Sequence, residues 1–98
     1  MRLIDRFEFD TFEWDENKRR LSREKSGIDF PDAARSLLEP HLEYPSPKHG
    51  EARTKAICKS DSRIMVVIFT HRGTACRIIS AWPADKNEQR TYSAVFGG

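Results

Sequence analysis

Two apolar runs in the second half of the chain dominate its hydrophobic pattern. The segment 63–70 is apolar without interruption from Ile64 to Phe69, and the segment 75–82 is also rich in β-branched and aromatic residues. A short polar tip at 71–74, which contains a glycine, separates them. This arrangement is typical of a β-hairpin. Because the first run carries apolar residues on both faces, we expect it to be a central strand and not an edge strand.

Alternation in the second run predicts which of its side chains share a face of the strand. One face carries Cys76, Ile78, Ser80 and Trp82, and the other carries Arg77, Ile79 and Ala81. Arg77 is therefore expected to be a charge on a central strand. A charge in such a place requires a partner or a ligand, because burying it alone is costly.

A first helix is predicted from about Glu16 to Ser26. Asp15 can serve as its N-cap, and Gly27 provides a stop. Leu21 is its only large apolar residue. A helix with so narrow an apolar stripe is expected to expose most of its circumference.

Two further helices are predicted from their start signals. Asp29 and Asp32 resemble a capping box at the start of the second helix. This helix has an apolar stripe at helical spacing, formed by Phe30, Ala33, Ala34, Leu37 and Leu38. Asp85 and Glu88 form a similar signal that opens a last helix, which ends at about Ala94 and packs with Tyr92 and Phe96.

Three more segments have the pattern of strands. They are 12–14, with an alternative start through Phe7 and Phe9, then 41–44, and then about 51–58. The order β-α-α-β-β-β-β-α predicts a single α+β domain over residues 1–98. We expect a mainly antiparallel sheet of four to five strands, with the helices gathered on one side.

Composition narrows the class of protein. The chain has 98 residues, of which 33% are charged, and a formal net charge of +2. The two cysteines have no metal-binding or disulfide-rich spacing, so we expect reduced thiols. The first residues are too densely charged for a signal peptide, and no apolar run approaches the roughly 20 residues of a membrane span. A cytoplasmic protein is expected.

Motifs for metal, cofactor or nucleophile chemistry are absent from the sequence. The histidines His41, His49 and His71 lack the spacing of a metal site, and no glycine-rich phosphate loop or nucleophile elbow occurs. We therefore expect neither a metal nor another cofactor.

Cationic residues are the remaining candidates for a site. Lys18 and Lys25 share one face of the first helix, and Arg53 and Arg77 lie on predicted strands. The arginines could form buried ion pairs with a neighbour such as Glu51. Alternatively, they could bind phosphate and stabilise charge during RNA cleavage, in which the 2′-hydroxyl of the RNA attacks. Spacing alone leaves both interpretations open.

The first helix also concentrates positive charge. Lys18, Arg19, Arg20, Arg23 and Lys25 fall within eight positions. Such a cluster is either a solvated helix face or a surface for anions and nucleic acid.

Five segments, in order, resemble the BrnT toxins of bacterial toxin–antitoxin systems. They are FEWDENK at 12–18, EKSGIDF at 24–30, DAA at 32–34, HGEAR at 49–53 and RIISA at 77–81. The resemblance covers about 12–92. It implies a RelE-like fold and a ribonuclease that arrests translation. It also implies a BrnA-like antitoxin with a ribbon-helix-helix domain, in a heterotetramer that contacts operator DNA only through the antitoxin.

Site residues follow from this resemblance as hypotheses. Arg77 and Arg53 would hold the scissile phosphate, and Tyr92 would close the site. Lys25 or Lys18 would support proton transfer or the 2′-oxyanion. RNA binding would use Arg19, Arg23, Lys18 and Lys25.

Three positions depart from the family pattern. Ser26 stands where the family usually has histidine, and Trp82 where it usually has arginine; Ser22 replaces a common asparagine. Serine has no useful pKa near neutrality, so it cannot replace a histidine proton shuttle.

The departures leave several alternatives. The toxin is weakened or inactive, or Lys25, Arg53 and Arg77 suffice for cleavage, or the residues were altered to permit expression. A protein of a different class is also consistent with the sequence: a non-catalytic module that binds an antitoxin and acts as a co-repressor or decoy. A third alternative is binding of nucleic acid without cleavage.

Overall fold

A computed structural model describes residues 1–5 and 9–97. Within these ranges the elements are β1 (Arg2–Ile4), β2 (Thr11–Glu13), α1 (Glu16–Ser26), α2 (Phe30–Leu37), β3 (His41–Pro45), β4 (Thr54–Ser60), β5 (Arg63–Arg72), β6 (Ala75–Pro83) and α3 (Lys86–Phe96). None of the helices in the described part of the chain is long and apolar enough to cross a membrane. The predicted α+β class is confirmed.

The sheet has six strands in the order β1-β3-β4-β5-β6-β2, so β5 is central as predicted. The prediction of four to five antiparallel strands was wrong on two counts. The three-residue β1 was missed, because so short a segment has no periodicity to detect. β2 pairs with β6 in parallel, which makes the sheet mixed, and alternation within a strand carries no information on its direction. The suggested start at Phe7 lies outside the described residues, and Phe9 is not part of a strand.

The central hairpin is confirmed, with longer strands than predicted. β5 continues to Arg72 and β6 begins at Ala75, so only Gly73 and Thr74 form the turn. Gly73 has a φ of 63°, which glycine adopts without strain. β4 begins three residues later than the predicted 51, at Thr54.

Helices cover both faces of the sheet, which corrects the expectation that they gather on one side. α2 packs four of the five residues of its predicted apolar stripe against Cys58, Met65 and Phe69. The fifth, Leu38, is 53% exposed, so its predicted place in the core was wrong. On the opposite face, Tyr92 of α3 packs against Ile57. The physical reason lies in β5, which is apolar on both faces and therefore requires cover on both.

A bulge interrupts the alternation of β6. Phe69 pairs with Ile78, but Ile68 pairs with Ser80, so Ile79 is an extra residue. Beyond the bulge the faces exchange, and Ala81 instead of Ser80 joins the core cluster beneath α2. The predicted division of side chains therefore holds before Ile79 and is wrong after it.

The helix ends follow the sequence signals with one exception. The Asp15 carboxylate accepts a hydrogen bond from the backbone N–H of Asn17 at the start of α1, and the capping box of α3 is present. Asp29 is the N-cap of α2, but its side chain makes no capping bond. The predicted box fails there because Arg19 binds both oxygens of the Asp29 carboxylate.

Candidate functional site

A cavity of about 350 Å³ lies between α1 and the outer edge of β6. Its walls are formed by Lys18, Leu21, Ser22, Lys25, Ser26, Phe30, Ile79, Ser80, Ala81 and Trp82. The cavity exists because β2 pairs with β6 only over residues 75–77. Beyond that point the strand edge is free to face α1. We call it the lysine cavity.

Serine hydroxyls hold α1 against this strand edge. Ser22 Oγ and Ser26 Oγ both lie within hydrogen-bond distance of the Ala81 carbonyl oxygen, at 3.3 and 3.1 Å. The Ile28 carbonyl oxygen lies closer to Ser22 Oγ, at 2.7 Å, so the single proton of this hydroxyl is shared between two acceptors. Because α1 contributes no buried residue, these few polar bonds carry much of its attachment.

Arg63 provides a second attachment at the end of α1. Its guanidinium donates to the carbonyl oxygens of Ser26 at 2.9 Å and Gly27 at 3.3 Å. These carbonyls belong to the last turn of the helix, which lacks intrahelical donors and carries a partial negative charge. Sequence reasoning missed Arg63, since no motif links a residue on β5 to the end of α1.

The two lysines are free cations at the cavity wall. Within residues 1–5 and 9–97, neither Lys18 nor Lys25 forms an ion pair with a carboxylate. No Asp or Glu is among the residues that line the lysine cavity. Its other walls are apolar groups and serine hydroxyls. The cavity therefore suits an anionic ligand with an apolar part.

The bulge determines which other side chains share the face of Arg77. Arg77 pairs with Thr70, Ser80 with Ile68 and Trp82 with Val66. Thr70, Ile68 and Val66 alternate along β5 and share one face. Ser80 and Trp82 thus lie on the same face as Arg77, whereas strict alternation would have placed both on the opposite face.

Arg77 is engaged by a neighbouring carboxylate and does not line the lysine cavity. Its Nη1 lies 3.5 Å from Oε1 of Glu13, the residue beside it on β2, and the Arg77 side chain is 32% exposed. A half-buried pair at this distance can open to admit a phosphate. The prediction that Arg77 needs a partner or a ligand is met by Glu13.

Arg53 lies near Arg77 and away from the lysines. It immediately precedes β4, and the pairing of Thr54 with Phe69 places it beside Thr70, whose other neighbour is Arg77. The two arginine Cα atoms are therefore about 10 Å apart on one face of the sheet. Arg53 Nε donates to Glu51 at 2.6 Å, which is the ion-pair interpretation considered from the sequence. Its side chain lines a separate cavity of about 540 Å³.

Arg19 and Arg23 of α1 differ in their contacts. Arg19 binds Asp29 through two nitrogens, at 2.7 and 3.1 Å, and this joins α1 to α2. The hydrogen bond to Arg19 lowers the pKa of the Asp29 carboxyl below its usual value. Arg19 is therefore a structural residue in the free protein, whereas Arg23 is exposed on the last turn.

Tyr92 is placed in the core, not in the lysine cavity. Its side chain packs against Leu42 and Ile57, and its ring centroid lies 4.6 Å from that of Phe96. Burial raises the pKa of the Tyr92 hydroxyl, which makes its phenolate harder to form. The structure does not bring Tyr92 together with the lysines.

The buried cysteines offer no nucleophile. Both thiols are inside the domain, and burial raises the pKa of Cys58 and of Cys76 to about 12. Thiols with so high a pKa are inert at neutral pH.

The three departures from the family pattern, at positions 22, 26 and 82, all lie at the lysine cavity. The Ser26 hydroxyl shares its one proton between two backbone carbonyl oxygens, of Ser22 at 2.9 Å and of Ala81 at 3.1 Å. Trp82 is 38% exposed and forms part of the wall. The sequence had placed Ser26 with the lysines on one helix face, and the structure confirms that placement.

Comparisons with known proteins give the family. The sequence profile of BrnT, described as the ribonuclease toxin of a type II toxin–antitoxin system, matches residues 14–88. The fold is similar to the crystal structure of the Brucella abortus ribonuclease toxin BrnT, at 30% identity and a TM-score of 0.64, covering 78% of this chain and 97% of that one. No curated protein sequence matches. The chain therefore belongs to the BrnT family of ribonuclease toxins of type II toxin–antitoxin systems.

Proposed function

We propose that this chain is a RelE-like ribonuclease toxin that binds and cleaves RNA at the lysine cavity and so arrests translation in the cytoplasm. The observation that carries the proposal is the pair of free lysines, Lys18 and Lys25, in a cavity without a carboxylate. Family membership supplies the reaction class, and the cavity supplies a place for a polyanion.

The chemistry requires no protein nucleophile and no metal. The 2′-hydroxyl of the RNA loses its proton to water and attacks the adjacent phosphorus. The bond from phosphorus to the 5′-oxygen of the next nucleotide breaks, this oxygen takes a proton from water, and the products are a 2′,3′-cyclic phosphate and a 5′-hydroxyl. Extra negative charge develops on the phosphate oxygens, and the ammonium groups of Lys18 and Lys25 stabilise it in place. Arg77 and Arg53, which share a face of the sheet with Trp82, would hold the RNA chain next to the cavity.

Slow cleavage is expected from the departures at 26 and 82. The Ser26 hydroxyl is directed at backbone carbonyls, so it neither accepts the 2′ proton nor delivers one to the leaving oxygen. Trp82 offers no guanidinium to the phosphate. The loss of one charge-stabilising donor typically lowers a rate on the order of 10²–10³-fold.

The test is cleavage of cellular RNA by the purified chain. We expect slow cleavage that is weakened at least tenfold, on the order of 1.4 kcal/mol, in Lys25→Ala and in Lys18→Ala. Lys48→Ala is the matched control, because it removes the same charge from an exposed position outside the cavity. The double variant S26H/W82R should cleave faster and be more toxic in cells. Intact RNA with both the natural chain and the double variant would contradict the proposal.

A second candidate function is a non-catalytic toxin homologue that binds the antitoxin. The bonds of the Ser26 hydroxyl and the burial of Tyr92 favour it, since both leave the lysine cavity without a proton shuttle. Purification of an antitoxin complex with a chain that does not cleave RNA, even at high enzyme concentration, would select this function.

The partner we propose is a BrnA-type antitoxin with a ribbon-helix-helix domain, in a heterotetramer that contacts operator DNA only through the antitoxin. Family membership supports an antitoxin partner. Co-expression with the adjacent reading frame, followed by mass measurement of the complex, tests the assembly. Binding of operator DNA by this chain alone would contradict the division of roles.

A further inference from the structure

Trp82 is partly exposed at the wall of the lysine cavity, whereas a tryptophan with a purely structural role is expected to be buried in the core. It follows the bulge on β6, lines the lysine cavity and is 38% exposed. Within the described part of the chain its indole N–H makes no hydrogen bond, whereas Trp14 donates to Glu16 at 2.9 Å. An aromatic side chain of this size left at a cavity wall provides a flat apolar surface for a ligand.

The neighbours of Trp82 determine the kind of ligand. Leu21 and Ile79 add apolar surface, and Lys18 and Lys25 add two positive charges at the same wall. A ligand complementary to this wall has a flat apolar part beside an anion. A nucleotide of single-stranded RNA has this composition, because its base carries two π-faces and its sugar bears phosphates.

The volume of the lysine cavity and the spacing of its two lysines fit one nucleotide with a phosphate on either side. The cavity volume of about 350 Å³ is near the lower limit of small-ligand sites. Lys18 and Lys25 are seven residues apart, which corresponds to about 10 Å along the helix axis. Their flexible stems can therefore contact two different phosphates while one base occupies the space between α1 and β6.

We propose that Trp82 is the base-binding residue of the lysine cavity, where its indole stacks on one unpaired nucleobase of the RNA held by Lys18 and Lys25. This inference rests on the proposed function, because it assumes that the cavity takes RNA. Stacking requires a base that is free of a duplex, and every base offers a π-face. The site therefore selects single-stranded RNA with little preference for the base.

Affinity for a fluorescein-labelled single-stranded RNA decamer tests the inference. Trp82→Ala should weaken binding by about tenfold to a hundredfold, and Trp82→Phe, which keeps an aromatic ring, by less than about threefold. The same RNA annealed to its complement should bind more weakly to the natural chain than the single strand does. Lys25→Ala should weaken binding of both forms and reduce its salt dependence.

A spectroscopic measurement separates a binding role from a structural one. The sequence has two tryptophans, so Trp14→Phe leaves Trp82 as the only indole. Its fluorescence should be quenched by the RNA decamer and not by ribose 5-phosphate, which has the anion without the base. Circular dichroism of each variant confirms that it is folded.

The outcomes distinguish the two proposals. Binding that Lys25→Ala weakens and Trp82→Ala leaves unchanged would overturn the role of Trp82 and retain the RNA site. No binding of RNA by the natural chain would overturn both. Unchanged RNA affinity in Trp82→Ala with loss of the co-expressed antitoxin would assign Trp82 to a protein interface instead.

Discussion

The two serine hydroxyls that attach α1 to β6 should be energetically coupled, because they share an acceptor. The Ala81 carbonyl can accept from Ser26 at 3.1 Å or from Ser22 at 3.3 Å. Ala81 is only 6% exposed, so water cannot easily replace a missing donor. Either serine can donate to this acceptor, Ser22 by sharing its single proton between Ala81 and Ile28, whereas loss of both leaves the Ala81 carbonyl without a donor.

The magnitudes follow from the bonds that each variant loses. Ser26→Ala should lower the free energy of unfolding by about 0.5–1 kcal/mol, since Ser22 still reaches Ala81. Ser22→Ala should cost about 1–1.5 kcal/mol, because it also loses the 2.7 Å bond to Ile28. The double variant should lose about 3 kcal/mol, because an unsatisfied buried acceptor costs more than a lost bond. The coupling energy is then about 1 kcal/mol.

Urea unfolding followed by tryptophan fluorescence measures these free energies. Ser93→Ala serves as a control, since within the described residues its hydroxyl makes no hydrogen bond, and its effect should stay within about 0.5 kcal/mol. Each lost kcal/mol should lower the melting temperature by about 4–8 °C. A double variant whose loss equals the sum of the two single losses, within about 0.5 kcal/mol, would refute the shared acceptor.

Three other features give predictions. The pKa of the Asp29 carboxyl is lower in the folded protein than its ordinary value of 3.8. Its pair with Arg19 therefore stabilises the fold at a pH above 3.8, and this stability is lost as the pH falls through the folded-state pKa. Asp29→Asn should therefore reduce the melting temperature at pH 7 and reduce it progressively less as the pH falls below 3.8; an equal loss at pH 7 and at acidic pH would contradict this. Glu88 accepts from Asp85 N–H at 2.9 Å and from Lys55 at 2.6 Å, so Glu88→Ala should destabilise the domain by about 1–2 kcal/mol in urea unfolding, and Glu88→Gln, which keeps an acceptor for the cap, by less. The two buried cysteines, with thiol pKa values raised to about 12, should react with iodoacetamide only as fast as the domain unfolds, and rapid labelling at neutral pH would contradict their burial.

Signals from residues close together in the sequence predicted the elements that depend on short-range interactions, such as helix caps and turns. The bounds of α1 follow from the Asp15 cap and from Gly27, which takes the left-handed conformation with a φ of 72°. The capping box of α3 and the central hairpin are likewise set by residues a few positions apart. Such features could be predicted because a single turn of chain contains all the atoms that decide them.

The predictions that were wrong concern features that depend on contacts between segments distant in the sequence. β2 is parallel to β6, with Thr11 beside Ala75, and no pattern within 11–13 encodes that pairing. The missing cap on α2 has the same origin, since Asp29 satisfies both the N-cap preference and an ion pair with Arg19, and the ion pair prevails.

Part of the site could be predicted and part could not. Helical periodicity placed Lys18, Lys25 and Ser26 on one face, and the cavity contains all three. The alternation of β6 placed Trp82 opposite Arg77, and the bulge at Ile79 reversed this. A bulge adds one residue without a change of composition, so alternation alone cannot show it.

Position 26 illustrates why stability and catalysis conflict at this cavity. α1 buries none of its residues, so its attachment to the rest of the domain depends on hydroxyls, on Arg63 and on the pair between Arg19 and Asp29. A serine at 26 strengthens that attachment because its short side chain reaches the Ala81 carbonyl. A histidine able to move protons must instead keep a ring nitrogen free for the RNA, so it cannot anchor the helix in the same way. A stronger attachment of α1 and a weaker proton shuttle are therefore two consequences of the same residue.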